Sequence, residues 1–451
     1  MVKKPKSKFV CNVCGNSQSA WSGKCPQCGE WNTFEEVLDA SKSLGSKSGQ
    51  GMPLKSISID TKSYSNLQKR INTNDPQLDN VLGGGVVAGS IILLAGQPGI
   101  GKSTLLTQIA NNVAKDKSVL YVSGEESEHQ VLSRVKRLLK TPSKLQIASS
   151  TCTDDIASTI LQGEFSLVIV DSIQTIACND IASSPGSVSQ ITNSTNLLSQ
   201  AAKKSNTAMI IVGHVTKEGS IAGPKLLEHS VDVVLQLEGD RYGGFKILRS
   251  VKNRYGSTNE SAIYEMKDSG LVEVENPSAA LLEQRMVTDG SIVLAKMEGT
   301  RPLLVEIQAL VNTTSYGYPK RAASGFDLNR LNLLIAMLER RTKLKLADKD
   351  IYINVVGGID ANEPAADLAV CMSIASASKG MQLKKNAVVF GELGLSGEVR
   401  HVPFIEKRLA EARKLGFEIA IGPKTSIKGQ QKDYFQASDI RNALNSFLEK
   451  D

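Results

Sequence analysis

The sequence predicts an α/β protein: a P-loop core set between a small four-cysteine zinc module and a second α/β domain. Three observations carry this expectation. Two C-x-x-C pairs, Cys11/Cys14 and Cys25/Cys28, stand ten residues apart near the N-terminus. From about 56 to 275, short apolar runs of β type alternate with helical stretches. These runs are Ile91–Ala95, Val119–Val122, Leu167–Val170, Met209–Val212 and Val233–Leu237, and such alternation marks a parallel sheet flanked by helices. The first run leads directly into Gly96-Gln97-Pro98-Gly99-Ile100-Gly101-Lys102-Ser103-Thr104.

Composition sets the bounds. A chain of 451 residues suggests roughly two to four domains. With 41% hydrophobic and 22% charged residues it can bury large cores and is not a disordered tail. The net charge of +7 is compatible with a polyanionic partner but carries little weight alone. Only 5% of residues are aromatic, which argues against extended base-stacking surfaces. No apolar stretch approaches the roughly 18 residues needed to span a bilayer. The lysine-rich start, Met1 to Lys8, is not followed by an apolar signal region. A cytoplasmic, non-membrane protein is expected.

The N-terminal module comes first, over 1–36. Each C-x-x-C bends the chain so that two thiolates face one centre, and two such knuckles complete a tetrahedron around Zn²⁺. Gly15 and Gly29 follow the pairs, where a tight turn favours glycine. Fewer than 30 residues bury too little surface to fold unaided, so the metal would be structural. The other cysteines, Cys152, Cys178 and Cys371, are scattered and read as ordinary thiols. A linker at 37–55 follows, with Ala40 to Gly51 rich in Ser, Gly and Lys, a composition that behaves as a flexible tether.

The core occupies 56–275. Gly96 to Thr104 is G-x4-G-K-S between a buried strand and the helical stretch Leu105–Ala114, the context a phosphate-binding loop requires. Its backbone N–H groups and the helix N-terminus would cradle the phosphates of ATP. Lys102 would reach the β- and γ-phosphates, and the Ser103 hydroxyl would ligate Mg²⁺. Leu167 to Val170 ends in Asp171, a Walker B carboxylate for the Mg²⁺ shell. Val119–Val122 ends in Ser123-Gly124-Glu125-Glu126, where either glutamate can activate the attacking water or simply be solvated. Met209–Val212 ends in Gly213-His214, with His214 either a γ-phosphate sensor or a structural residue. Phe245–Val251 alternates like a strand, with Lys252-Asn253-Arg254-Tyr255-Gly256 as a turn at its end. Asn276-Pro277 breaks the pattern, and a second α/β segment fills 280–451, including a helix at Asp327–Lys343 and a strand at Ile351–Val356.

In this order the motifs resemble the RadA (Sms) family of bacterial DNA-repair proteins along the whole chain. The likeness rests on Cys11–Cys28, Leu82-Gly83-Gly84-Gly85, the P-loop, Ser123 to Ser127, His214-Val215-Thr216-Lys217-Glu218-Gly219 and Lys252 to Gly256. The last string resembles the family's K-N-R-F-G, with Tyr255 in place of Phe. The resemblance implies a RecA-like ATPase core, a zinc module and a C-terminal Lon-protease-like domain. It further implies a homo-oligomer, a hexameric ring, whose DNA-stimulated ATP hydrolysis drives branch migration with the RecA recombinase. DNA partners would be single-stranded and branched, met by loops at Ala177–Gln190 and His214–Leu226, the latter with Lys217 and Lys225.

Two further expectations follow from the likeness. Lys252 and Arg254 would reach the γ-phosphate held by the neighbouring subunit, a finger supplied in trans, unless they form only a solvated hairpin tip. In the Lon-like domain, Ala365 stands where a nucleophilic Ser would be, and Glu406 falls at the Lys position with Lys407 adjacent. No proteolysis is therefore expected. The early part of this domain is basic, through Arg321, Arg330, Arg340, Arg341, Lys343 and Lys345, either as a DNA contact or as a solvated face. Two other classes share parts of the pattern, an ATP-dependent protease and a RecA-fold signalling ATPase or autokinase. The zinc module and Lys252–Gly256 argue against the second.

Overall fold

The computed structural model describes residues 7–14, 16–38, 70–138, 144–214, 226–239, 245–315, 317–383, 387–425 and 432–449. Gly15, the tether at 40–51, and 215–225 with Lys217 and Lys225 lie outside the described residues. Two compact units emerge. One draws on Met1–Glu238, Leu248–Thr258 and Met266–Val272, the other on Gly239–Ile247, Asn259–Glu265 and Glu273–Asp451. Among the described residues no helix is long and apolar enough to cross a membrane.

The N-terminal module is a three-stranded antiparallel sheet. β1 (Ser7–Cys11) sits between β2 (Ser17–Gln18) and β3 (Phe34–Leu38). Its small core contains Cys11, Cys25 and Phe34. So little apolar burial cannot hold thirty residues, which is why the cysteines matter.

Next comes a short antiparallel pair, β4 (Arg70–Ile71) with β5 (Val86–Val87). It leads into a nine-stranded sheet. In chain order its strands are β6 (Ile91–Gly96), β7 (Val119–Ser123), β8 (Leu145–Ser149), β9 (Leu167–Asp171), β10 (Ala208–His214), β11 (Val233–Gly239), β12 (Phe245–Asn253), β13 (Ser261–Lys267) and β14 (Gly270–Glu273). Their order across the sheet is β14-β13-β12-β11-β6-β10-β9-β7-β8. The central strands β6, β7 and β9 are buried at every position, as expected of parallel strands covered on both faces. The sequence reading missed β8, an edge strand whose burial is only partial.

Three boundaries differ from the expectation for physical reasons. The P-loop helix begins at Lys102, because the loop itself ends at Gly101, held at φ 116°. β12 continues through Asn253, so Lys252 belongs to a strand and not to a turn. Asn276-Pro277, read as a break, starts a helix: Asn276 caps Pro277–Leu282 by accepting from Ala279 N, and Pro277 needs no donor at that position.

The second unit holds a seven-stranded sheet in the order Arg321–Ser324, Lys349–Val355, Arg301–Thr313, Ser291–Glu298, Ala387–Val389, Ile419–Pro423 and Tyr434–Ala437. The helix Leu328–Thr342 is capped by Asp327, which accepts from Arg330 N at 2.7 Å. The helix Asp367–Lys379 is buried along its first ten residues and forms the centre of this core.

Candidate functional site

Strand register assembles the nucleotide site. In the parallel pairs of β6, Gly96 lies opposite His214 of β10 and Leu237 of β11. In the parallel pair of β7 and β9, Ser123 lies opposite Asp171. The P-loop, Asp171, the Glu125–Glu126 turn and His214 therefore leave the sheet along its carboxyl edge, where open α/β sheets bind ligands.

The loop has the form a triphosphate needs. Gly99 and Gly101 have φ of 80° and 116°, and a Cβ on Gly99 would meet nothing within 4 Å, so the cradle is open. The thirteen-residue helix Lys102–Ala114 has no side-chain cap, so its first N–H groups and dipole are free for an anion. Lys102 Nζ donates to the carbonyls of Gly96 and Gln97 at 2.8 and 3.0 Å, which holds its charge across the loop. Burial pushes the Lys102 ammonium down to about 8, against the opposing pull of Asp171 and Glu125.

The two glutamates diverge. Glu125 Oε1 accepts the Ser172 hydroxyl at 2.6 Å and lies 3.5 Å from His214 Nε2. Glu126 Oε2 is paired with Arg134 at 2.5 Å. Among the described residues no Lys or Arg forms an ion pair with Glu125, which keeps that carboxylate available as a base. Asp171, at the end of β9, accepts from the Tyr121 hydroxyl at 2.6 Å. His214 Nδ1 is buried without a partner among the described residues.

Lys252 and Arg254 both have acceptors within their own unit. Lys252 Nζ donates to the carbonyls of Glu228 and Val231 at 2.5 and 2.7 Å, just where the short helix Leu226–Ser230 ends. Arg254 pairs with Asp232 at 3.0 Å, and its side chain remains 55% exposed. Sequence reasoning also missed a contact between two of the quoted strings. Gly83, at φ 80°, packs backbone to backbone on Gly256, where a Cβ on either would stand about 3.0 Å or less from the other's Cα. Arg70 joins them, donating to Leu82 O, Gly85 O and Tyr255 O.

The four cysteines have the geometry of a Zn²⁺ site. The four Sγ atoms of Cys11, Cys14, Cys25 and Cys28 lie within 4.8 Å of one another, with Cys11–Cys28 at 3.7 Å and Cys14–Cys25 at 3.6 Å. A tetrahedron with Zn–S of about 2.3 Å has edges of about 3.8 Å. The Thr33 hydroxyl stands 3.2 Å from Cys11 Sγ, where it can donate to a thiolate.

In the second unit the position expected for a protease nucleophile is a buried methyl group. Ala365 is 1% exposed in the turn Pro364–Ala366. Lys407 Nζ donates to Thr300 O at 3.1 Å. The neighbouring Arg408 is fully buried and grips Glu363 through both carboxylate oxygens, at 2.9 and 2.8 Å, while also donating to Ala295 O. The basic face read from the sequence loses a member here. Arg330 is committed to the buried Asp367 by two bonds of 2.5 Å.

Fold and site together define a P-loop ATPase of RecA-like class, with an N-terminal zinc module and a C-terminal α/β domain of Lon-like type. Comparisons with known proteins agree. A family model described as "AAA domain" matches residues 62–220, "Rubredoxin metal binding domain" matches 9–36, and "Subunit ChlI of Mg-chelatase" matches 322–426. The DNA repair protein RadA of Listeria monocytogenes is 49% identical over 94% of this chain and 93% of its own. That of Bacillus subtilis is 48% identical over 99% of both chains. That of Aquifex aeolicus is 44% identical over 98% of this chain and 99% of its own. The chain belongs to the RadA family of DNA repair proteins.

Proposed function

We propose that this chain is a DNA-dependent ATPase of homologous recombination and repair, a motor that moves branched DNA junctions together with the RecA recombinase. The observation that carries hydrolysis is the division of labour between Glu125, which has no Lys or Arg partner among the described residues, and Glu126, which is tied to Arg134. Glu125 orients the attacking water and takes its proton at a carboxylate oxygen. Ser172 and His214 both meet Oε1 of that carboxylate, which leaves Oε2 for the water. Lys102 and the loop N–H groups meet the β- and γ-phosphates. Ser103 and Asp171 would hold Mg²⁺, which supplies charge neutralisation on the phosphates. In a ring of subunits, Lys252 and Arg254 act on the neighbour's γ-phosphate, a reading supported by the exposure of Arg254.

DNA enters this reading through the names of the relatives and through position. The strands β9 and β10 end at the nucleotide edge of the sheet, in Asp171 and His214. The stretch after β9, Ala177–Gln190, contains no Lys or Arg. It is folded over Gln190, which accepts from Cys178 N and donates to Cys178 O, Ile181 O and Ser183 O. Its DNA contacts would come from backbone and hydroxyl groups, leaving phosphate neutralisation to Lys217 and Lys225. Peptidase activity finds no support at Ala365. The deciding experiment is ATP turnover with single-stranded and forked DNA at several salt concentrations. Turnover should rise with DNA, and the rise should fall steeply with salt. Turnover indifferent to DNA would refute the motor.

A further inference from the structure

One oxygen of Asp171 is already engaged. Its Oδ2 accepts the Tyr121 hydroxyl at 2.6 Å inside the sheet, where Tyr121 is 1% and Asp171 8% exposed. Arg134 Nη2 donates to the same hydroxyl at 3.2 Å. A guanidinium can only donate and an ionised carboxylate can only accept, so the phenolic proton points at Asp171. The same guanidinium donates from Nε to Thr107 Oγ1 at 3.2 Å and pairs through Nη1 with Glu126. Thr107 in turn donates to the backbone oxygen of Ser103 at 2.7 Å. From the helix Glu128–Leu138, Arg134 thus ties the P-loop helix, β7 and the Glu126 turn into one frame.

We propose that Tyr121 and Arg134 are positioning residues for the Mg²⁺ shell. Tyr121 holds Asp171 in one orientation through Oδ2 and leaves Oδ1 to the metal shell. Arg134 fixes Tyr121 relative to the segment that carries Ser103. The interposed phenol has a further consequence. A guanidinium placed directly on Asp171 would offset the negative charge that a divalent cation requires. A neutral hydroxyl passes on position without that charge. Arg134 suits the task because its planar fork serves three acceptors in fixed directions, which a lysine ammonium on a flexible stem cannot do.

The inference rests on the assignment of Asp171 and Ser103 to Mg²⁺, and the test separates the two. Binding of a fluorescent ATP analogue to the full-length protein is titrated with Mg²⁺ for the parent, Tyr121→Phe, Arg134→Lys and Asp171→Asn. Outer partners of metal ligands typically alter metal affinity by about 10- to 100-fold. The Mg²⁺ midpoint should therefore rise about 10-fold or more in Tyr121→Phe and move the same way in Arg134→Lys. Binding in EDTA and the melting temperature should stay near the parent's. Parent-like midpoints in both variants, with Asp171→Asn shifted, overturn the positioning role. An unshifted Asp171→Asn overturns the Mg²⁺ assignment itself. Equal losses of binding with and without Mg²⁺ mark a merely structural role and also overturn the proposal. If Tyr121→Phe does not fold, Arg134→Lys decides.

Discussion

The hydroxyl of Ser172, the residue that follows Asp171, donates to Glu125 Oε1 at 2.6 Å. The next residue, Glu126, turns to Arg134 instead. Glu125→Gln should therefore slow phosphate release by about 10²-fold or more while ATP binding is retained, since only the proton acceptor is lost. Glu126→Gln should be milder. The opposite ranking in steady-state turnover would make Glu126 the base.

Arg254 is half-exposed while Lys252 closes a turn through two carbonyls. Both Lys252→Ala and Arg254→Ala proteins should bind ATP yet lose DNA-dependent turnover. Lys102→Ala protein should fold normally and hydrolyse nothing. Mixing it with Arg254→Ala protein should restore part of the ATPase, because some interfaces then combine an intact loop with an intact finger. No rescue in rings shown to exchange subunits would confine Arg254 to its own Asp232.

The cysteine tetrahedron predicts about one zinc per chain. Replacing Cys11 and Cys14 by Ser should release it, because two ligands do not hold a structural site, and should unfold the β1–β3 module. The P-loop core should keep its own melting transition. Elemental analysis finding no zinc in the unmodified protein would remove this reading.

Arg408 in the second unit is fully buried, with Glu363 and Ala295 O as partners. Truncating it leaves the carbonyls of Ala295 and Pro403 without that donor and strips Glu363 of its cation, with only Met297 N, among the described residues, still donating to Glu363 Oε1. Arg408→Ala should cost about 3 kcal/mol or more of that unit's stability in denaturant unfolding. Casein should remain uncut by the unmodified protein and by Ala365→Ser, since the substitution supplies a hydroxyl but no activating lysine. Cleavage by either would reinstate the protease.

Much of this protein was legible in the sequence because its chemistry is local. Two C-x-x-C knuckles, a phosphate loop between strand and helix, and a carboxylate at the end of a buried strand each need adjacent residues, so spacing reveals them. Only the tertiary structure decided the rest. Glu125 and Glu126 are neighbours of identical chemistry, separated by which one meets Ser172, 47 residues away, and which one meets Arg134. Tyr121 reads as an ordinary strand residue until Asp171, 50 residues on, receives its hydroxyl. Gly83 and Gly256 look like loop glycines until their backbones touch. The bonds of Lys252 within its own unit were not legible because its acceptors are main-chain carbonyls, which every residue has and no pattern marks. Residue type and spacing record what a short segment can bind. The partner of a buried polar group is set by how distant segments pack, and that information belongs to no single segment.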